Sequence, residues 1–186
     1  MTGIIITGVI ILVIGCFTGY VIAAYNKLIK ERLKVENQFS QIDVILKQRN
    51  DTIPNFVNVV SGYATHEKEL LREVTDARSR YMASNSEKES FAAADDIQKT
   101  LSRLIAVAEN YPELKANANF MHLEKTLTEL EEKIATYRQF YNDTVMRYNR
   151  QILLFPSSLI AKLFHFEAKP FFEASSEDKV LPEVKF

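Results

Sequence analysis

The chain has 186 residues, with 23 Lys and Arg against 24 Asp and Glu, one Cys, no Trp, five Gly and five Pro. Near-neutral charge argues against nucleic acid as the main partner, because phosphate binding needs a surplus of cations. One Cys cannot form an intramolecular disulfide, a structural zinc site normally needs four ligands, and so few Gly and Pro do not suit an all-β fold.

The first charged side chain is Lys27. Ile4 to Ala24 is an uncharged, mostly apolar run. As a helix it extends about 31 Å, enough to cross the hydrocarbon core of a bilayer. Four of the five Gly lie in or beside it (Gly3, Gly8, Gly15, Gly19). Gly is tolerated in membrane helices, and the Gly15-x-x-x-Gly19 step is too common there to indicate dimerisation. A cleaved signal peptide would need a basic start and a shorter apolar core. Val13-Ile14-Gly15-Cys16 fits a lipidation pattern, yet nothing basic precedes it and small or apolar residues continue from Phe17 to Ala24. An uncleaved transmembrane anchor over residues 1–26 is the preferred reading, with lipidation of Cys16 as the alternative. Lys27, Lys30, Arg32 and Lys34 follow the span. The positive-inside rule then puts the N-terminus outside and the remainder in the cytoplasm.

Beyond the anchor, apolar spacing of three and four residues indicates helix throughout. Helix one carries Leu28, Val35, Phe39, Ile42 and Leu46, with a stop expected at Arg49-Asn50-Asp51-Thr52. Asp51 or Thr52 would cap helix two, with Pro54 in its first turn. That helix carries Ile53, Val57, Val60, Ala64, Leu71, Val74 and Tyr81, with Gly62 inside it. Ser86-x-x-Glu89 is a capping box opening helix three, which carries Phe91, Ala94, Ile97, Leu101, Leu104 and Ala108. Glu109-Asn110-Tyr111-Pro112 turns the chain. Phe120, Leu123, Leu127, Leu130, Ile134, Tyr137, Tyr141, Val145, Tyr148, Ile152 and Phe155 mark one face of a long fourth helix ended by Pro156. Short connections make neighbouring helices antiparallel. The expected fold is all-α: a transmembrane helix continuing into an antiparallel up-down four-helix bundle over 27–174, then a polar tail over 175–186.

Several blocks, in order, resemble the LemA family of bacterial membrane-anchored helical proteins. They are Tyr25-Asn26-x-Leu28, then Gln41-Ile42-Asp43-Val44 running through Arg49, Asp51 and Ile53-Pro54-Asn55, then Gly62-Tyr63-x-x-His66-Glu67. Glu109-Asn110-Tyr111-Pro112, Tyr141-Asn142, Tyr148-Asn149, Phe155-Pro156-Ser157 and Phe171-Phe172-Glu173 complete them. The resemblance implies a membrane-anchored bundle with no established reaction and no catalytic residues to carry over. Some relatives place a lipidated Cys just before the Tyr-Asn pair, whereas Cys16 stands nine residues before Tyr25.

Candidate chemistry is sparse, and no catalytic residue, metal or cofactor is expected. His66-Glu67 would need a second His at position 70 to make a zinc-protease motif, and Leu70 stands there. Cys16 within an apolar span is a poor nucleophile. Asp95-Asp96 and Glu131-Glu132 are adjacent pairs, which do not face each other on a helix. Asn142 and Asn149 would either fix helix register in a buried seam, or else point to solvent or cap neighbouring backbone. Arg49, Asp51, Asn55, Glu109, Tyr111 and Lys115 are expected to share the membrane-distal tip, as a partner-binding surface or as caps and turn braces. The aromatic segment from Phe155 to Phe172 is expected to plug the bundle end, with contact to the bilayer interface as the alternative.

The function expected is that of a membrane-anchored scaffold or protein-interaction module. Its partners would be the lipid bilayer and proteins, including other membrane proteins or a further copy of itself. A hydrolase-like enzyme with an unrecognised site and a lipid-anchored exported bundle are the alternatives.

Overall fold

In the computed structural model, which describes residues 1–173, helix α1 runs unbroken from Thr2 to Ser61. Then come α2 (Lys68–Met82), α3 (Glu87–Ala108), the short α4 (Pro112–Lys115), α5 (Ala118–Leu153) and α6 (Ser157–Leu163). No strand occurs among the described residues. The tail assigned to 175–186 lies outside them.

The continuity of α1 corrects the stop expected at Arg49–Thr52. Leu28, Val35, Ile42, Arg49 and Phe56 recur at heptad spacing and all are buried, as are Leu46, Ile53 and Val60 in the companion row. The buried stripe thus passes through Arg49 in phase, and packing along it sustains the helix. Pro54 lacks the N–H that would bond to the Asn50 carbonyl, one turn back. That carbonyl instead accepts a hydrogen bond from Arg78 Nε at 3.1 Å. Thr52 caps nothing; its hydroxyl donates back to the Gln48 carbonyl at 2.9 Å. The chain breaks later, at Gly62, where the N–H groups of Tyr63 and Ala64 both bond to the Val60 carbonyl.

The remaining helix starts follow local chemistry. Ser86 Oγ accepts from Glu89 N–H at 3.2 Å, as a capping box requires. The Glu89 carboxylate reaches Asn85 N–H at 2.9 Å, one residue ahead of the usual position. Asn117 caps α5, its Oδ1 accepting from the N–H groups of Asn119 and Phe120.

The chain forms two compact units. The first holds residues 1–38 and 142–169; of the described residues, the second holds 39–141 and 170–173. In the first, Leu28 and Val35 are buried with Val145, Tyr148, Ile160 and Ala161. The large apolar side chains from Ile4 to Ile22, half-buried Val21 apart, are instead exposed. Within that stretch the hydroxyls of Thr7 and Thr18 bond back to the carbonyls of Gly3 and Ile14. Neither threonine hydroxyl is therefore left to seek water, as a nonaqueous setting demands.

The core of the second unit draws Ile53 and Phe56 from α1, Val74 and Ala77 from α2, Ile97 and Leu104 from α3, and Phe120 and Ile134 from α5. Phe56 and Phe120 stack with ring centroids 5.4 Å apart.

Candidate functional site

The least ordinary residue of the second unit is Arg49. It is 1% exposed, in a row otherwise filled by aliphatic and aromatic residues. Its Nη1 bonds to Glu131 Oε1 of α5 at 2.6 Å, and its Nη2 bonds to the Ala94 carbonyl of α3 at 2.8 Å. One guanidinium thereby ties three helices together. Asn50 beside it is also fully buried, and its carbonyl takes the bond from Arg78 of α2. Burying this set costs desolvation, which offsets much of what the pairing contributes to net stability.

A cleft of about 430 Å³ lies alongside Phe39, Asp43, Lys47, Tyr81 and Glu87. Tyr81 donates its hydroxyl to Asp43 Oδ1 at 2.9 Å. Burial, and then the Asp43 carboxylate, push the Tyr81 phenol well above its usual range. At neutral pH it is a fixed donor rather than a base. Asp95 pairs with Arg138 at 2.9 Å. Burial nevertheless raises its carboxyl, outweighing the cation beside it. Among the described residues, no three His, Cys, Asp or Glu come together to hold a metal ion.

Tyr141, Tyr148 and Asn149, from the two Tyr-Asn pairs, act on the chain that follows α6. Tyr148 donates to the Glu167 carbonyl at 3.0 Å. Asn149 grips Lys169 in both directions: Nδ2 donates to its carbonyl and Oδ1 accepts its N–H, each at 2.9 Å. The open choice for Asn149 thus resolves toward backbone bonding. Tyr141 donates to the Pro170 carbonyl at 2.9 Å. Phe172 is then buried, stacked on Phe91 at 4.1 Å with the Arg138 guanidinium 3.9 Å over its ring. Ser157, within the Phe155-Pro156-Ser157 block, locks the turn before α6. Its hydroxyl lies 2.7 and 2.8 Å from the carbonyls of Gln151 and Leu154, and Gln151 Nε2 donates to it at 2.9 Å.

The residues expected at the tip are placed differently from one another. Arg49 sits in the core instead of a loop. Asp51 and Asn55 are exposed on α1 itself. Glu109 and Lys115 form an exposed pair at 3.5 Å. Tyr111 donates to Glu67 Oε1 at 3.2 Å, and Asn117 Nδ2 donates to the Tyr63 hydroxyl at 2.9 Å. The turn after α3 therefore does meet the connection after α1, but at Tyr63 and Glu67. Those two stand in the Gly62-Tyr63-x-x-His66-Glu67 block, where Gly62 was the available turn signal. The aromatic segment divides. Phe166 and Phe172 are buried as plugs, whereas Phe155, Phe164 and Phe171 are exposed.

The class defined by these features is an all-helical protein led by one long apolar helix. That helix is the one among the described residues with the length and hydropathy to cross a membrane. The chain belongs to the LemA family, whose sequence profile matches residues 38–186. It is 25% identical over 171 residues to Protein LemA of Metamycoplasma hominis, covering 91% of this chain and 78% of that protein. It is 21% identical over 189 residues to magnetosome protein MamQ 2 of Paramagnetospirillum magneticum, covering 88% and 70%. Magnetosome protein MamQ of Magnetospirillum gryphiswaldense is 20% identical over 174 residues, covering 80% and 64%.

Proposed function

We propose that this protein is a membrane-anchored, non-catalytic scaffold that presents a helical bundle to protein partners. The observation that carries the reading is the make-up of α1. One unbroken helix begins as an exposed apolar stretch of membrane-crossing length and continues as a buried heptad row. Membership of the LemA family supports a membrane-associated role without catalysis. In this reading α1, α2, α3 and α5 make an antiparallel up-down bundle in the second unit. The basic residues from Lys27 to Lys34 hold the bundle in the cytoplasm with the N-terminus outside.

The partner surface proposed is the pair of turns where Tyr63 and Glu67 meet Tyr111 and Asn117, flanked by Glu109 and Lys115. In-cell crosslinking with identification of partners tests it. Lys115→Glu, on an exposed side chain, should leave thermal stability unchanged and lose the crosslinked partners. Unchanged partner recovery would sink the surface. A reporter fused after Phe186 should be active only in the cytoplasm, and Cys16→Ser should leave membrane retention and gel mobility as they are.

A further inference from the structure

The first unit leaves a second apolar face uncovered. Leu153, Leu154 and Phe155, around the end of α5, are 78%, 51% and 79% exposed. Leu159 and Leu163 of α6, with Phe164 after it, are 59%, 67% and 47% exposed. Ile160 and Ala161, on the other side of α6, are buried. This short helix is therefore apolar both toward the protein and away from it, which water does not favour in a patch of this size.

Position tells what covers the face. The Phe164 ring lies 4.8 Å from Tyr25 and the Phe166 ring 5.7 Å from it. Tyr25 stands directly after the apolar stretch of α1 and two residues before its first charge. The Arg32 guanidinium lies 5.6 Å from the Phe166 ring. Tyr148 feels the charges of Arg32 and Glu36. From there α5 runs to Leu153, about 8 Å farther along its axis. The exposed face thus sits at the level where the span ends and its flanking charges begin.

Charge agrees with position. The first unit carries eight Lys and Arg against four Asp and Glu, and the rest of the chain 15 against 20. An aromatic, apolar face on a unit of net positive charge, beside the end of a span, suits the anionic interfacial layer of a bilayer.

We infer that Leu153, Leu154, Phe155, Leu159, Leu163 and Phe164 are seated in the interfacial layer of the same membrane that α1 crosses. The protein then holds the bilayer at two points, one a span and the other a short in-plane helix. This rests on the membrane-anchored reading, and the test separates the two.

Full-length protein carrying Cys16→Ser and one new cysteine takes an environment-sensitive fluorophore. It is reconstituted in vesicles of phosphatidylcholine and phosphatidylglycerol that contain spin-labelled lipid. The labelled variants are Leu159→Cys and Leu163→Cys on the face, Ile10→Cys in the span, and Lys125→Cys on exposed α5. The face variants should show blue-shifted emission and lose most of it to spin labels high on the acyl chain. Ile10→Cys should lose its emission to labels near the chain end, and Lys125→Cys to neither. If Ile10→Cys is quenched while the face variants behave like Lys125→Cys, the inference is overturned and the anchor stands. Blue-shifted face variants that no lipid label quenches would mean that protein, a second copy or a partner, covers the face; that too overturns it. If Ile10→Cys is not quenched either, anchor and inference fall together.

Discussion

Besides its small core, the first unit turns two sets of apolar side chains outward, one before Lys27 and one around the end of α5, and uses its polar ones on backbone, as Tyr148, Asn149 and Ser157 do. The second unit does the reverse, enclosing Arg49 and Asn50 within an aliphatic and aromatic core and ending Glu109 and Lys115 in solvent. Each arrangement has a different weak point. In the first unit each of these polar side chains holds one short piece of backbone, so its loss is local. In the second, a cation that is itself 1% exposed is tied to α3 and α5, so one deletion is felt across three helices.

Removing a partner from the buried cation should break the second unit most. Glu131→Ala leaves the Arg49 charge enclosed and should cost about 3–5 kcal/mol, read as a lowered midpoint in urea. Arg49→Met should cost less, because it removes the charge along with its need for a partner. The reverse order would mean that Arg49 acts mainly by filling space. In the first unit Asn149→Ala should cost only about 1–2 kcal/mol. The change should appear as faster amide exchange at Lys169, with the Arg49 region unaffected.

Alkaline pH sharpens the comparison next. Burial, and then Glu87, raise the Tyr141 phenol in the second unit, and burial alone leads the smaller shift at Tyr148 in the first. A group whose folded pKa is raised contributes its full stability below the unfolded value near 10 and loses it as pH climbs past that value. The loss is at most about 1.4 kcal/mol per pH unit per group. Thermal melts between pH 9 and 11 should therefore fall less steeply for Tyr141→Phe than for the parent chain. The smallest effect expected is a gain. His165 follows α6 at φ 55, and the N–H groups of His165 and Phe166 close a Schellman pattern onto Lys162 and Ala161. Gly adopts that backbone without the steric cost, so His165→Gly should stabilise the first unit by about 1 kcal/mol.

Much of the architecture was legible because it depends on near neighbours. The apolar run before Lys27, the Ser86 cap and the long periodic face of α5 all rest on residues within a few positions. The misplaced break in α1 shows where such reasoning stops. Asn50-Asp51-Thr52-x-Pro54 looks locally like a helix start, but the group that makes Pro54 harmless is Arg78, bonded 28 residues away from Asn50. The charge of Arg49 points to the surface, whereas its heptad phase with Ile42 and Phe56 marks the core. Asn149 remained ambiguous for a similar reason, since its partner lies 20 residues downstream. The meeting of Tyr111 with Glu67 was anticipated only as a meeting of turns, one of them assigned to the wrong block.

The grip of Asn149 on Lys169 has a consequence for the residues that come next. One amide meets the N–H and the carbonyl of the same residue, as a neighbouring β-strand would. In extended chain, successive side chains point to opposite sides. A slip of a single residue would therefore exchange Phe172, now enclosed against Phe91, for Phe171, now open to solvent. Two like residues stand side by side, and the register of the chain at Lys169, three positions before Phe172, decides which of them is inside.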